Sequence, residues 1–130
     1  MERLSGLNIL LVEDEAFIAL DVDHVLSTAA CNVLGPYANV AATLRAIDQA
    51  ERIDCGILDL NLGNEHTLSV ADALSARSVP FVWVSGYDRQ MLPERYRDHP
   101  FIAKPFLKDD LLNAVSDAFA GKTSTTQHGA

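Results

Sequence analysis

A chain of 130 residues with 48% hydrophobic content has the size and composition of one globular domain, and no second folded output unit is expected. A formal charge of -8 and the lack of any Lys/Arg cluster argue against nucleic acid or an anionic membrane as the main partner, because that binding depends on cations that neutralise phosphates. No apolar stretch reaches membrane-spanning length, and Met1-Glu2-Arg3 does not open a secretory signal, so a cytoplasmic protein is expected.

The first apolar run, Ile9 to Val12, reads as strand one and ends in Glu13-Asp14. The pattern then turns helical: Ile18, Val22, Val25 and Leu26 form one stripe, with Asp21, Asp23 and His24 opposite. Asn32 to Tyr37 is strand two, interrupted by Gly35-Pro36, and Asn39 can cap a second helix whose Val40, Leu44 and Ile47 face inward. Cys55 to Leu60 is strand three, and a loop through Gly63-Asn64 leads to a third helix carrying Leu68, Ala71 and Leu74.

Pro80 opens strand four, Phe81 to Val84, which runs into Ser85. Ser85 to Pro100 is polar and contains Gly86 and Pro93. Any fourth helix there must be short or irregular, since an interior proline costs about 3 kcal/mol. Phe101 to Ala103 is strand five, followed by a break at Lys104-Pro105. Leu111, Leu112, Val115, Ala118 and Phe119 make a last helix that Gly121 is expected to end. One domain over residues 1–121 and a disordered tail over residues 122–130 are the expectation. Cys31 and Cys55 lack ligand spacing and read as buried free thiols, and His24, His66, His99 and His128 read as solvent-facing.

Five strands alternating with five helices call for right-handed crossovers and a doubly wound α/β domain, a five-stranded parallel sheet of order 2-1-3-4-5. Its switch point lies between strands one and three, and ligands of such sheets collect at the carboxyl ends of the strands. Those ends carry Glu13, Asp14, Asp59, Ser85 and Lys104. Three acids, a hydroxyl and an ammonium in one crevice suit a divalent cation and a phosphorylated aspartate.

Aspartate oxygen is a weak nucleophile, so attack on a phosphoryl donor requires that anionic repulsion be offset and geometry fixed. Mg2+ prefers octahedral oxygen ligands and keeps waters. Asp14 and Asp59 can supply direct oxygens, the backbone carbonyl of Asn61 a further one, and Glu13 can hold a coordinated water. Lys104 would face Asp59 and then a phosphoryl oxygen, to which the Ser85 hydroxyl could also donate.

With Glu13-Asp14, Asp59, Ser85 and Lys104-Pro105 in this order on strand ends, residues 7–120 resemble the receiver domain of two-component response regulators, a flavodoxin-like fold. The resemblance implies that Asp59 accepts a phosphoryl group from a histidine kinase or histidine phosphotransfer protein. It also implies that Ser85 is the switch hydroxyl and Phe101 a rotating aromatic that reports phosphorylation to the face built by helix four, strand five and helix five. A stand-alone module, monomeric or dimerising on phosphorylation, would then signal by altered protein binding or act as a phosphate sink. Pro80 to Asp88 resembles a subgroup of mostly single-domain receivers with a Phe-x-Thr-Gly-Tyr signature, with Ser85 in place of Thr. Leu62-Gly63 departs from the Met-Pro often found after the phosphoacceptor, and the Pro93 region departs from a regular fourth helix. Tyr87 is bulky enough to limit water access to an acyl phosphate.

Plainer readings stand beside these. Glu13-Asp14 is also a helix-start signal, Lys104 a structural partner for Asp59, Ser85-Gly86 ordinary turn chemistry, and Phe101 and Trp83 core. Two other functions compete: an aspartyl-phosphate phosphohydrolase, for which Asn61 stands where the second acid is needed, and a degenerate receiver that binds constitutively.

Overall fold

The computed structural model describes residues 4–87 and 89–128, with side chains as far as residue 121. Strands β1 (Asn8–Val12), β2 (Asn32–Tyr37), β3 (Cys55–Asp59), β6 (Phe81–Ser85) and β7 (Phe101–Ala103) form one parallel sheet in the order β2-β1-β3-β6-β7, which is the expected topology. Between β3 and the next helix lies a separate antiparallel hairpin, β4 (Asn61–Leu62) and β5 (Glu65–His66). The helices are α1 (Ala16–Thr28), α2 (Val40–Gln49), α3 (Leu68–Ala76) and α4 (Lys108–His128). None is long and apolar enough to cross a membrane among the described residues.

Two cores sandwich the sheet, and the alternation of side chains along each strand divides the apolar runs between them. Ile9, Leu11, Ile57, Val82 and Val84 pack with Val22, Val25 and Leu26 of α1 and with Leu111 and Val115 of α4. Leu10, Val12, Leu58, Phe81 and Trp83 pack on the opposite face with Ile47 of α2 and Val70, Ala71 and Leu74 of α3. Cys31 and Cys55 are buried free thiols, as expected, and burial pushes the Cys55 thiol up to about 12.

Edge strand β2 has one residue that only glycine serves. Gly35 has φ +108°, and a Cβ there would lie 2.6 Å from the Leu11 carbonyl oxygen. The β1–β2 register shifts at this point, between Leu10 and Val12, and Tyr37 then accepts a backbone hydrogen bond from Glu13 at 3.0 Å. Asn39 caps α2 as its sequence position predicts, accepting from the Ala42 N–H at 2.8 Å.

Three expectations need correction. The loop through Gly63-Asn64 is the turn of the β4–β5 hairpin, with strands of two residues too short to leave a periodic signal. The segment between β6 and β7 forms no α-helix among the described residues, in line with the expectation that any helix there is short or irregular. Residues 86–100 instead carry two 3-10 turns, Arg89–Met91 and Glu94–Tyr96, since Pro93 has no N–H to bond and sits extended at the start of the second turn. The last helix continues through Gly121 to His128 where a tail over residues 122–130 is expected. Gly121 does not adopt the left-handed conformation that closes helices, and residues 129–130 lie outside the described set. Finally, His99 is half-buried rather than solvent-facing, stacked on Phe81 at 4.9 Å between centroids, whereas His24 and His66 are exposed. His128 lies beyond the described side chains.

Candidate functional site

Strand register brings the chemistry together. Val12 pairs with Leu58, Asp59 with Val84, and Ser85 with Ala103, so Glu13-Asp14, Asp59, Ser85 and Lys104 all emerge at the same end of the sheet. One oxygen from each of Glu13, Asp14 and Asp59 can be chosen such that all lie within 4.8 Å of one another. Glu13 and Asp59 are buried, at 4% and 6% exposure, while Asp14 is open to solvent. The Lys104 ammonium bridges the two buried acids, with Nζ 3.0 Å from Asp59 Oδ2 and 3.0 Å from Glu13 Oε1.

Backbone contacts fix these groups further. Asp59 Oδ1 accepts from the Asn61 N–H at 3.2 Å, and Glu13 Oε2 accepts from the Glu15 N–H at 3.2 Å. The buried Thr67 hydroxyl donates to the Asp59 carbonyl at 2.7 Å and closes the hairpin against β3. Sequence reasoning missed Thr67; the only available signal was its place before the third helix. His66 Nδ1 lies 2.9 Å from Asn61 Oδ1.

Burial, and then the hydrogen bond and charge of Asp59, push the Glu13 carboxyl up to about 7 against the opposing pull of Lys104. Burial works against the Lys104 ammonium, but its hydrogen bonds to Asp59 and Glu13 and their charges outweigh that and raise its pKa. The cluster therefore has more negative charge to place than one ammonium can balance. A donor set made only of carboxylate oxygens, one of them solvent-open, fits a hard divalent cation that retains waters.

Ser85 and Phe101 are placed differently. The buried Ser85 hydroxyl accepts from the Tyr87 N–H at 2.9 Å, and the Tyr87 side chain is exposed. The Ser85 carbonyl accepts from the Lys104 N–H at 2.8 Å, which ties the two strand ends together. Phe101 lies on β7, three residues before Lys104, half-buried beneath the Arg89 guanidinium at 5.3 Å from the ring centroid. Trp83 is core, edge-on to Phe81 and Tyr96, and its indole N–H has no hydrogen-bond partner among the described residues.

The family model for the response regulator receiver domain matches residues 9–116, which include every one of these groups. The chain belongs to this family. Receiver domains are signalling modules of two-component systems, and solved receivers share this fold. SdrG from Sphingomonas melonis Fr1 is 36% identical and superposes with a TM-score of 0.77 over 92% of this chain and 99% of that one. The regulator PhyR of Methylorubrum extorquens is 27% identical over 113 residues, covering 85% of this chain and 42% of PhyR. The chain spans about half the length of the curated relatives it matches, 42% and 54%. The receiver domain of a sensor histidine kinase from Pseudomonas aeruginosa PAO1, described with a magnesium ion coordinated in its active-site cleft, has the same fold, with 21% identity and a TM-score of 0.71 over 89% of this chain and 99% of that one.

Proposed function

We propose that this receiver accepts a phosphoryl group on Asp59 from a histidine kinase or histidine phosphotransfer protein, and signals as a module of residues 1–121 through altered binding of a downstream protein or by draining phosphoryl groups. The observation that carries the reading is the buried Asp59 carboxylate at the end of β3, 3.0 Å from the Lys104 ammonium and grouped with Glu13 and Asp14. An ion pair alone would need one acid; here two buried acids share the Lys104 ammonium and a third, Asp14, offers an oxygen within 4.8 Å of theirs.

Asp59 attacks the phosphorus of the donor's phosphohistidine, a P–O bond forms as the P–N bond breaks, and the imidazole leaves with the electron pair. Lys104 holds the carboxylate in place beforehand and neutralises a phosphoryl oxygen afterwards, while the Ser85 hydroxyl, released from the Tyr87 N–H, donates to another. Asp14, Asp59 and the Asn61 carbonyl would hold Mg2+, with Glu13 on a bound water. When bound, that ion offsets the charge between acceptor and donor.

Acetyl phosphate with Mg2+ tests the reading on the whole chain. Stoichiometric labelling that chelation or Asp59→Asn abolishes is expected. Continuous release of phosphate over many turnovers would instead favour a phosphohydrolase, and no labelling would favour a constitutive binding module.

A further inference from the structure

Arg89 has no part in the chemistry above, yet its guanidinium makes an unusual set of contacts. It donates to the Arg97 carbonyl at 2.8 Å and to the His99 carbonyl at 2.9 Å, and lies over the Phe101 ring at 5.3 Å. Both carbonyls are held by one nitrogen, Nη1, so a single guanidinium ties the chain that approaches Phe101 to the face of the Phe101 ring. Arg89 opens the first 3-10 turn, two residues beyond Tyr87, whose N–H is engaged by the Ser85 hydroxyl. The path from the phosphoacceptor end to Phe101 is therefore short: Ser85 Oγ, the Tyr87 N–H, the turn, and the guanidinium. Phe101 also lines an open cleft of about 470 Å³ with Phe106 and with Ala114 of α4.

We infer that Arg89 is a positioning residue that clamps Phe101 in this arrangement, so that drawing Ser85 toward a phosphoryl group loosens the clamp and frees the ring to reshape the cleft. The inference rests on the phosphoacceptor reading. If the Ser85 hydroxyl is drawn toward the phosphoryl group, its oxygen moves off the Tyr87 N–H, and the backbone at Tyr87 loses that anchor two residues before Arg89. The guanidinium cannot follow a shift there and keep both carbonyls and the ring. Clamping favours the present arrangement over the phosphoryl-bound one, so removing the clamp makes phosphoryl capture easier.

The test titrates beryllofluoride, in saturating Mg2+, into wild type, Arg89→Ala, Arg89→Lys, Phe101→Leu and the Arg89→Ala/Phe101→Leu pair, with the Phe101 ring resonances followed by NMR. Arg89→Ala should bind about threefold more tightly, the scale of an exposed cation over an aromatic ring. Arg89→Lys should fall between it and wild type, because an ammonium keeps the charge and can donate to carbonyls but has no flat guanidinium face to lay over the ring. In the Phe101→Leu background the Arg89→Ala gain should vanish, and in Arg89→Ala the ring resonances should shift toward their beryllofluoride-bound positions before any is added. A purely structural role would change the melting temperature and leave that coupling at zero. Unchanged or weaker binding by Arg89→Ala, or an equal gain with Leu at position 101, overturns the clamp alone. A wild type that takes up no beryllofluoride overturns the phosphoacceptor reading and the clamp with it.

Discussion

The acidic end of the sheet and the β6–β7 connection lie a few residues apart and are built on different principles. At the acidic end each group sits within two residues of a strand terminus, and the ladder that aligns Val12, Leu58, Asp59 and Val84 also aligns the chemistry. The connection over residues 86–100 has no such ladder. It is held by side chains: Leu92 and Tyr96 in the core, the Tyr96 hydroxyl donating to Asp72 of α3, Arg95 paired with the same carboxylate at 3.2 Å, and Arg89 on two carbonyls. Register places reactive groups without adjustment, whereas a segment held by a few contacts can change shape when one is withdrawn. A receiver needs both behaviours.

The largest effect expected from breaking this contrast comes from Lys104→Met. Two buried carboxylates lose their shared cation, and stability should fall by about 2 to 3 kcal/mol in denaturant unfolding, below the full cost of a buried pair because Lys104 retains some exposure. The loss should shrink as pH falls from about 7 toward 4.5, the range in which Glu13 holds a proton in the folded chain and not in the unfolded one. Next in size is the response to Mg2+. At about ten times Kd it should stabilise wild type by about 1.4 kcal/mol, and Asp14→Asn should lose most of that gain in a thermal melt.

Tyr96→Phe probes the other region. It removes the bond to Asp72 and should cost about 1 kcal/mol, with faster amide hydrogen exchange across residues 86–100 and no change in acetyl phosphate labelling. Labelling reduced as far as in Lys104→Met would erase the distinction between the two regions. The smallest effect is a pH slope from His99, whose pKa is lowered by burial, with the charge of Asp98 opposing. The unfolded chain binds this proton more readily, so the stability from the neutral ring is present in full above the usual 6.5 and is lost as pH falls through the lowered folded value. His99→Phe should flatten that part of the stability profile.

The same contrast explains what the sequence disclosed. Continuous apolar runs ending in Glu13-Asp14, Asp59, Ser85 and Lys104 are readable because two-sided burial forces the run and its end fixes the place of the next side chain. The connection was readable only in the negative: Pro93 forbids a regular helix, but nothing local says that Arg89 will reach Phe101 or that Tyr96 will reach Asp72, contacts 12 and 24 residues apart in sequence. The hairpin escaped because two-residue strands carry no period, and Thr67 because a hydroxyl closing a turn looks like any helix-start residue. His99 looked polar by type and is half-buried because Phe81 offers its ring a face to stack on.

The central claim is that Asp59 is the reacting carboxylate. Borohydride trapping tests it most directly: the chain is treated with acetyl phosphate and Mg2+, any acyl phosphate is reduced to the alcohol, and the altered residue is located by peptide mass spectrometry. The account predicts conversion at Asp59 and at no other acid. Conversion at Glu13 or Asp14, or none in a folded chain with Mg2+ present, would contradict it.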